Sequence, residues 1–174
     1  MALAWPVLGA AQTWIPVGPP GGDVRALAAD PRDPRQIYLG TSDGVLYRSE
    51  DSGAHWRRLS PGFPRRGQSL DEITVDARGV VLVGYWEVVG SGGGVARSTD
   101  GGNTFTILKG IEGQSVRALA IAPSSPHILA AGTLTGVFRS IDGGLSWARI
   151  TPPDHPDLRN FESVAFDSQD PNTM

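Results

Sequence analysis

Three copies of one eight-residue pattern, S-x-D-x-G-x-x-(W/F), constrain the fold of this chain more than any other feature. The copies begin at residues 49, 98 and 140, so their starts are 49 and 42 residues apart. A pattern that returns at roughly this spacing indicates repeats that pack against their neighbours. The defining positions are Ser49, Asp51, Gly53 and Trp56, then Ser98, Asp100, Gly102 and Phe105, and then Ser140, Asp142, Gly144 and Trp147.

A second recurrent unit precedes each copy of the pattern. The sequence DVRALAADP at 23–31 returns as SVRALAIAP at 115–123, and weaker forms occupy 70–76 and 161–167. Short apolar runs and the motif Gly-Val-x-x-Arg-Ser follow, separated by Gly, Pro, Asp and Ser, and no run has a sustained helical period. The sequence therefore predicts an all-β chain with four short antiparallel strands per repeat, which is typical of a β-propeller blade.

The repeats divide the chain into predicted units. Blades are expected at 19–60, 61–109 and 110–151, and residues 152–174 are expected to start a fourth blade. Residues 14–18 resemble a strand that follows the eight-residue pattern, so we expect them to close the last blade. About three and a half blades of an expected seven are present, so the remaining blades are predicted to be missing from this N-terminal part of a longer protein. Self-association that closes the gap is the alternative.

Residues 2–11 are apolar, rich in small side chains and uncharged. They predict a signal-peptide remnant or a disordered tail over residues 1–13, and with it a secreted or periplasmic location. No other stretch approaches the roughly 18–20 apolar residues of a membrane span, so no transmembrane segment is expected. The formal net charge of -3 argues against binding nucleic acid, and the absence of cysteine excludes disulfides and thiolate metal sites.

The repeated pattern itself is predicted to be structural. Its aspartate can accept hydrogen bonds from the N–H groups of its own turn, its glycine can adopt positive φ, and its aromatic side chain can pack between blades. A catalytic group has no reason to recur in every repeat, and one carboxylate per turn falls far short of the roughly 6–8 oxygens that calcium needs. His55, His127 and His155 lack metal-ligand spacing. We therefore expect these turns to be structural, and we expect no catalytic residue, metal or cofactor in this chain.

Four charged residues of alternating sign occupy one position of the four repeats and form a predicted charge ring. They are spaced 46, 46 and 45 residues apart, and they are Arg25, Asp71, Arg117 and Glu162. If the repeats are blades, these side chains meet at the mouth of the central channel. Two interpretations stay open, namely salt bridges between blades and a mouth that binds a polar ligand or a peptide.

Two further regions carry candidate binding residues. The loop at 85–93 is longer than its counterparts and places Tyr85, Trp86 and Glu87 side by side. Aromatic rings beside a carboxylate suit sugars and peptides, although packing of both rings in the core is the alternative. The loops at 60–69 and 151–160 contain arginine and histidine, and they predict either a small basic spot for an acidic partner or ordinary solvated loops.

The repeated residues resemble the bacterial neuraminidase repeat superfamily, whose turns are called Asp boxes. The resemblance covers the chain from Trp14 onward, with Phe105 in place of the usual tryptophan. The Asp-Pro turn and the Gly-Val-x-x-Arg-Ser motif resemble a branch that includes photosystem II assembly-factor-like propellers, sortilin N-terminal-like repeats and xyloglucan-cleaving glycosidases. The resemblance implies seven-bladed propellers, or pairs of them, many of which are secreted.

The resemblance implies three alternative functions. The first is a non-catalytic extracytoplasmic propeller that binds protein or carbohydrate on its loop face. The second is a glycoside hydrolase whose catalytic residues lie in the missing blades, and the third is an assembly factor for a membrane protein complex. Sialidases add an Arg-Ile-Pro element, which is absent from this chain, and no acidic pair of a glycosidase can be assigned by motif.

Overall fold

A computed structural model describes residues 17–19, 23–59, 62–63 and 67–174 of the protein. These residues form twelve strands and no helix, which confirms the predicted all-β fold. The predicted signal remnant and residues 14–16 of the predicted closing strand lie outside the described residues. No helix in the described residues is long and apolar enough to cross a membrane.

The strands form three four-stranded antiparallel sheets, each built from four consecutive strands in chain order. The first blade contains β1 (Val24–Asp30), β2 (Asp33–Thr41), β3 (Leu46–Ser49) and β4 (Arg57–Arg58). The second blade contains β5 (Gln68–Val75), β6 (Val81–Glu87), β7 (Gly93–Ser98) and β8 (Thr106–Ile107). The third blade contains β9 (Val116–Ile121), β10 (Leu129–Thr133), β11 (Val137–Ser140) and β12 (Ala148–Arg149).

A glycine on the second strand of each blade allows the next blade to approach its backbone. A Cβ atom on Gly40 would lie 2.8 Å from the Cβ atom of Leu70, and one on Gly84 would lie 2.8 Å from Cγ1 of Val116. Distances this short leave no room for a side chain, so the first strand of one blade packs directly on the second strand of the blade before it.

Residues 152–174 contain no strand, but their path follows that of the earlier repeats. A Cβ atom on Gly132 would lie 2.8 Å from the carbonyl oxygen of Phe161. The amide of Asp167 donates to the carbonyl oxygen of Thr173 over 2.9 Å, as the amide of Asp76 donates to Val80 over 3.0 Å. The segment therefore packs on the third blade as a first strand would, and its assignment to a fourth blade stays a prediction.

The inner strand of the first blade has an exposed apolar side. Val24 and Leu27 are 49% and 63% exposed, whereas Leu70 and Ile73, at the same positions of the second blade, are 0% and 3% exposed. The difference arises because Leu70 and Ile73 pack on the first blade. No described blade precedes β1 to cover Val24 and Leu27.

Candidate functional site

The antiparallel order gives the blades two chemically different ends. The turns between the first and second strands and between the third and fourth strands of each blade lie at one end, which we call the Asp-box end. The turns between the second and third strands and the connections between blades lie at the other end, which we call the loop end. The three copies of the eight-residue pattern occupy the β3–β4, β7–β8 and β11–β12 turns, so they lie at the Asp-box end.

The box of the second blade shows how the turn is held. Oδ1 of Asp100 accepts hydrogen bonds from Oγ of Ser98 at 2.8 Å and from the amide of Thr104 at 2.9 Å. Oδ2 accepts from the hydroxyl of Thr104 at 2.6 Å. Oγ of Ser98 in turn accepts from the amide of Gly102 at 2.8 Å. The carboxylate is therefore fully engaged by its own turn, which leaves it poorly suited to act on a ligand.

The other two boxes have the same hydrogen bonds, but a different residue takes the place of Thr104. Ser146 supplies amide and hydroxyl to Asp142 at 2.9 and 2.5 Å, and His55 supplies amide and Nδ1 to Asp51 at 2.8 and 2.6 Å. Hydrogen bonds from these donors lower the pKa of all three box aspartates to about 2. This donor was not predicted from the sequence, although a hydrogen-bonding side chain precedes the aromatic residue in every copy.

The second and third boxes also pack against the blade before them. Gly102 has a φ of 83°, and a Cβ atom there would lie 2.8 Å from Cδ1 of Leu59, which follows β4 of the first blade. Phe105 is half-buried in the core between the first two blades, with its ring 5.8 Å from Phe63. Trp147 is likewise half-buried, against the core of the last two blades. These contacts join the second and third boxes to the blade before each of them.

The Asp-box end carries a second kind of turn that contains an aspartate, and this turn was not predicted from the sequence. Oδ1 of Asp76 accepts from the amides of Arg78 and Val80, both at 2.8 Å, in the β5–β6 turn. Asp30 accepts from Arg32 in the equivalent β1–β2 turn. The recurrence of aspartate at the end of the first strand was visible in the sequence and is a pattern that could have revealed this turn.

At the loop end, the structure forms one of the contacts expected of the charge ring. Nη1 of Arg117 lies 3.4 Å from Oδ2 of Asp71, and both side chains are more than four-fifths buried. Arg25 instead pairs with Asp23 at 3.1 Å, and Glu162 is exposed. The contact therefore joins the second and third blades, while the predicted ring is not continuous in the described residues.

The Arg117 guanidinium also lies over the indole ring of Trp86, with Cζ 3.5 Å from the ring centroid. Trp86 pairs with Ser69 across the β5–β6 ladder, and the Ser69 hydroxyl donates to Oδ1 of Asp71 at 2.5 Å. Two regions that were predicted separately, the charge ring and the aromatic loop, thus meet in one cluster. We call Ser69, Asp71, Trp86 and Arg117 the loop-end site.

Tyr85 and Glu87 flank this site and have different surroundings. Tyr85 is buried, and its ring packs edge-on against Phe63 at 4.7 Å, so it belongs to the core. Glu87 is exposed and lines an open cleft of about 330 Å³ together with Gly92 and Glu112. The cleft is therefore bordered by two carboxylates and has an aromatic floor.

The third blade fixes the glycine-rich loop beside this cleft. The hydroxyl of Ser115 lies 3.2 Å from the carbonyl oxygens of Ser91 and Gly92, and the amide of Gly113 donates to Gly93 at 2.9 Å. The loop is thus tied to the strand that carries Arg117, which gives the cleft and the loop-end site a common support.

The remaining candidates form no comparable cluster. Arg65 and Arg66 lie outside the described residues, and Nδ1 of His155 is 4.0 Å from the nearest carboxylate oxygen of Asp157. The described residues contain no group of three or more His, Cys, Asp or Glu side chains that could hold a metal ion.

Sequence and structural relatives agree with this architecture, although no protein-family model matches the chain. The chain is 29% identical over 125 residues to xyloglucanase Xgh74A of Acetivibrio thermocellus, covering 71% of the chain and 12% of that protein. It is 30% identical over 118 residues to the photosystem II assembly lipoprotein Ycf48 of a Synechococcus species, covering 66% of the chain and 33% of that protein. The chain thus spans a third or less of these curated relatives.

Solved structures show the same fold. The GH74 xyloglucanase from Xanthomonas campestris matches with a TM-score of 0.72 at 23% identity, covering 86% of this chain and 26% of that one. YCF48 from Cyanidioschyzon merolae matches with a TM-score of 0.57 at 14% identity, covering 80% and 44%. Three Asp boxes at blade spacing, three four-stranded sheets and these neighbours lead to one conclusion: the chain has the repeats and the blade architecture of the Asp-box β-propellers.

Proposed function

We propose that these blades bind a carbohydrate chain at the loop end, as part of an extracytoplasmic propeller similar to the xyloglucanases. The observation that carries the proposal is the loop-end site, in which Arg117 of one blade lies on Trp86 and against Asp71 of the blade before it. The second blade departs most from the other repeats at this point, and departures from a structural repeat are where a binding role is expected.

The chemistry of the site suits hydroxyl groups. A guanidinium offers several N–H donors in one plane, while a carboxylate beside it offers acceptor oxygens, so Arg117 and Asp71 together can bind a pair of sugar hydroxyls. The aromatic ring of Trp86 holds the guanidinium in place. The exposed carboxylate of Glu87 in the adjoining cleft extends the same acceptor surface.

Binding of a peptide is the second candidate, and a specific feature favours it. Arg117 is a cation at the end of a blade, and one relative of similar fold is a YCF48 bound to D1 peptide, with a TM-score of 0.57. A peptide carboxylate would use the same guanidinium. Carbohydrate is preferred because Asp71 and Glu87 would repel an acidic peptide while accepting hydrogen bonds from sugar hydroxyls.

Calorimetric titration of the 174-residue protein with xyloglucan oligosaccharides tests the proposal, with a basic and an acidic peptide as comparison ligands. Trp86→Ala and Arg117→Met should each weaken oligosaccharide binding by about tenfold or more. Arg57→Met, which removes an exposed arginine at the Asp-box end, should leave the affinity unchanged. Binding of only the acidic peptide, or equal losses in all three variants, would overturn the proposal. If new reducing ends appear in the xyloglucan oligosaccharides during the titration, the proposed function would include their hydrolysis.

A further inference from the structure

The open cleft beside the loop-end site has a distinct chemistry of its own. It measures about 330 Å³, and the charged side chains that line it are those of Glu87 and Glu112, both of which are exposed. No lysine, arginine or histidine is among its lining residues in the described part of the chain. Its apolar surface comes from Phe63 and Tyr85, whose ring centroids are 4.7 Å apart, and from Ile107, which is 38% exposed.

A glycine of the same loop allows the Glu87 carboxylate to lie at this cleft. A Cβ atom on Gly92 would lie 2.5 Å from Cδ of Glu87, and one on Gly90 would lie 3.4 Å from Oε2 of Glu87. The amide of Glu87 donates to the carbonyl oxygen of Gly92 at 2.9 Å. The side chain therefore folds back over the bare backbone of its own loop, and its carboxylate occupies space that a side chain at Gly92 would fill.

The connection between β8 and β9 brings Glu112 to the same cleft. Its Oε2 accepts a hydrogen bond from the amide of Gly110. The amide of Gly113, the next residue along the chain, donates to the carbonyl oxygen of Gly93 at 2.9 Å. Because Gly93 follows Gly92, this bond holds the two segments that carry the carboxylates side by side. The cleft is thus formed before any ligand binds, which lowers the cost of binding.

Neither carboxylate of the cleft has a cationic partner within 4.0 Å in the part of the chain that the structure describes. Arg117, in the adjoining loop-end site, is already engaged by Asp71 and by the ring of Trp86. Two negative charges that border one cleft repel each other, and a cation bound between them would remove that repulsion. The aromatic and aliphatic walls suit the methylene groups of a chain that carries such a cation.

We propose that this cleft binds an ammonium group carried on an aliphatic chain, as in a lysine side chain of a protein or in a free diamine. The ammonium group lies between Glu87 and Glu112, and the methylene groups lie on Phe63, Tyr85 and Ile107. The inference goes beyond the proposed function and does not depend on it, because neither Arg117 nor Trp86 lines the cleft.

Nuclear magnetic resonance of the ¹⁵N-labelled 174-residue protein tests the site with a defined probe. On titration with Nα-acetyl-lysine methylamide, the amide signals of Gly92, Gly93 and Gly113 should shift and saturate. Nα-acetyl-norleucine methylamide has a similar aliphatic chain but no ammonium group, and it should bind at least about tenfold more weakly. Equal affinity for the two compounds, or shifts confined to other parts of the protein, would overturn the proposal.

Substitutions separate this site from a general attraction between opposite charges. The double variant Glu87→Gln and Glu112→Gln should lose at least about tenfold in affinity for the lysine compound. The control double variant, Glu50→Gln and Glu162→Gln, removes two exposed carboxylates outside the cleft and should stay within about twofold of the parent protein. Gly92→Ala removes no charge but displaces the Glu87 carboxylate, and it should cost about threefold. Equal losses in the two double variants would contradict the site.

Two further comparisons distinguish the source of the ammonium group and the fate of the two proposals. Tighter binding of 1,5-diaminopentane than of the lysine compound would indicate a free amine, the reverse order would indicate a protein, and failure of both to bind would overturn the proposal. Arg117→Met should weaken oligosaccharide binding without weakening binding of the lysine compound. Binding of the lysine compound without binding of oligosaccharide would support the cleft and reject the carbohydrate proposal alone.

Discussion

The two ends of the same three sheets differ in how closely their residues repeat. At the Asp-box end, the serine-to-aspartate hydrogen bond measures 2.9, 2.8 and 2.8 Å in the three blades. At the loop end, one equivalent position holds Arg25, Asp71 and Arg117, each with different neighbours. The comparison indicates that the repeated residues of the Asp-box end stabilise the blades. The residues that distinguish one blade from another lie at the loop end.

The differences are concentrated in the second blade. Asp71, Glu72, Trp86 and Glu87 all belong to β5 or β6, and each departs from the residue at the matching position of the third blade. If the comparison is correct, substitutions at the Asp-box end should reduce stability without affecting binding, and substitutions at the loop end should do the reverse or even stabilise the protein.

Asp100→Ala should have the largest effect on stability. It removes the acceptor for the Ser98 hydroxyl and for both donors of Thr104, so the turn loses three hydrogen bonds at once. We expect the melting temperature to fall by about 8 °C, measured by calorimetry. Oligosaccharide affinity below the unfolding transition should not change. A loss of affinity without a loss of stability would break the distinction between the two ends.

Glu72→Ala should stabilise the protein above neutral pH. Burial in the folded state raises the pKa of this carboxyl group from 4.5 to about 7, so folding favours its protonated form. The stability linked to Glu72 is therefore fully present below about pH 4.5 and is lost as the pH rises through about 7. Removing the group should add about 2 kcal/mol to the free energy of unfolding at pH 8 and nothing at pH 4. Urea unfolding at both pH values measures this difference.

His55→Ser should have a small effect, which sharpens the view that the boxes are interchangeable. Ser146 makes the equivalent bond to Asp142 at 2.5 Å, so a serine hydroxyl can replace Nδ1 of His55. We expect the melting temperature to stay within about 2 °C of the parent protein. A loss as large as that of Asp100→Ala would show that the first box depends on its imidazole.

Glu87→Gln should have the smallest effect on stability. The side chain is exposed at the loop end, and its removal leaves the core residues beneath it in place. The melting temperature should stay within about 1 °C, while oligosaccharide affinity should fall about threefold through loss of a charged acceptor. Unchanged affinity would remove Glu87 and its cleft from the binding surface.

The fold was predictable because its determinants are local and repeated. Serine, aspartate, glycine and an aromatic residue within eight positions specify a turn, and three such turns at blade spacing specify the sheets. The side-chain donors to the box aspartates were not predicted. The position before the aromatic residue holds histidine, threonine and serine in the three copies, and these residue types share no sequence pattern although all three bond to the aspartate.

The loop-end site was predictable only in parts. Alignment of the repeats singled out Asp71 and Arg117, and loop length singled out Trp86. Their meeting depends on the β5 bulge and on the packing of β9 against β6, neither of which leaves a trace in residue spacing. Glu72 was missed for a related reason, because its burial follows from the small residues opposite it rather than from its own position.

Gly40, Gly84 and Gly132 set how tightly the arc of blades bends. Each lets the first segment of the following repeat pack on bare backbone, with no room for a methyl group at the point of contact. A Cβ atom added at any of these glycines would push the neighbouring sheets apart near their first strands and change the angle between the sheets. The angle between neighbouring blades therefore depends on a single hydrogen atom on the Cα of one glycine in each repeat. Replacing that glycine by alanine would change this angle and with it the curvature of the arc.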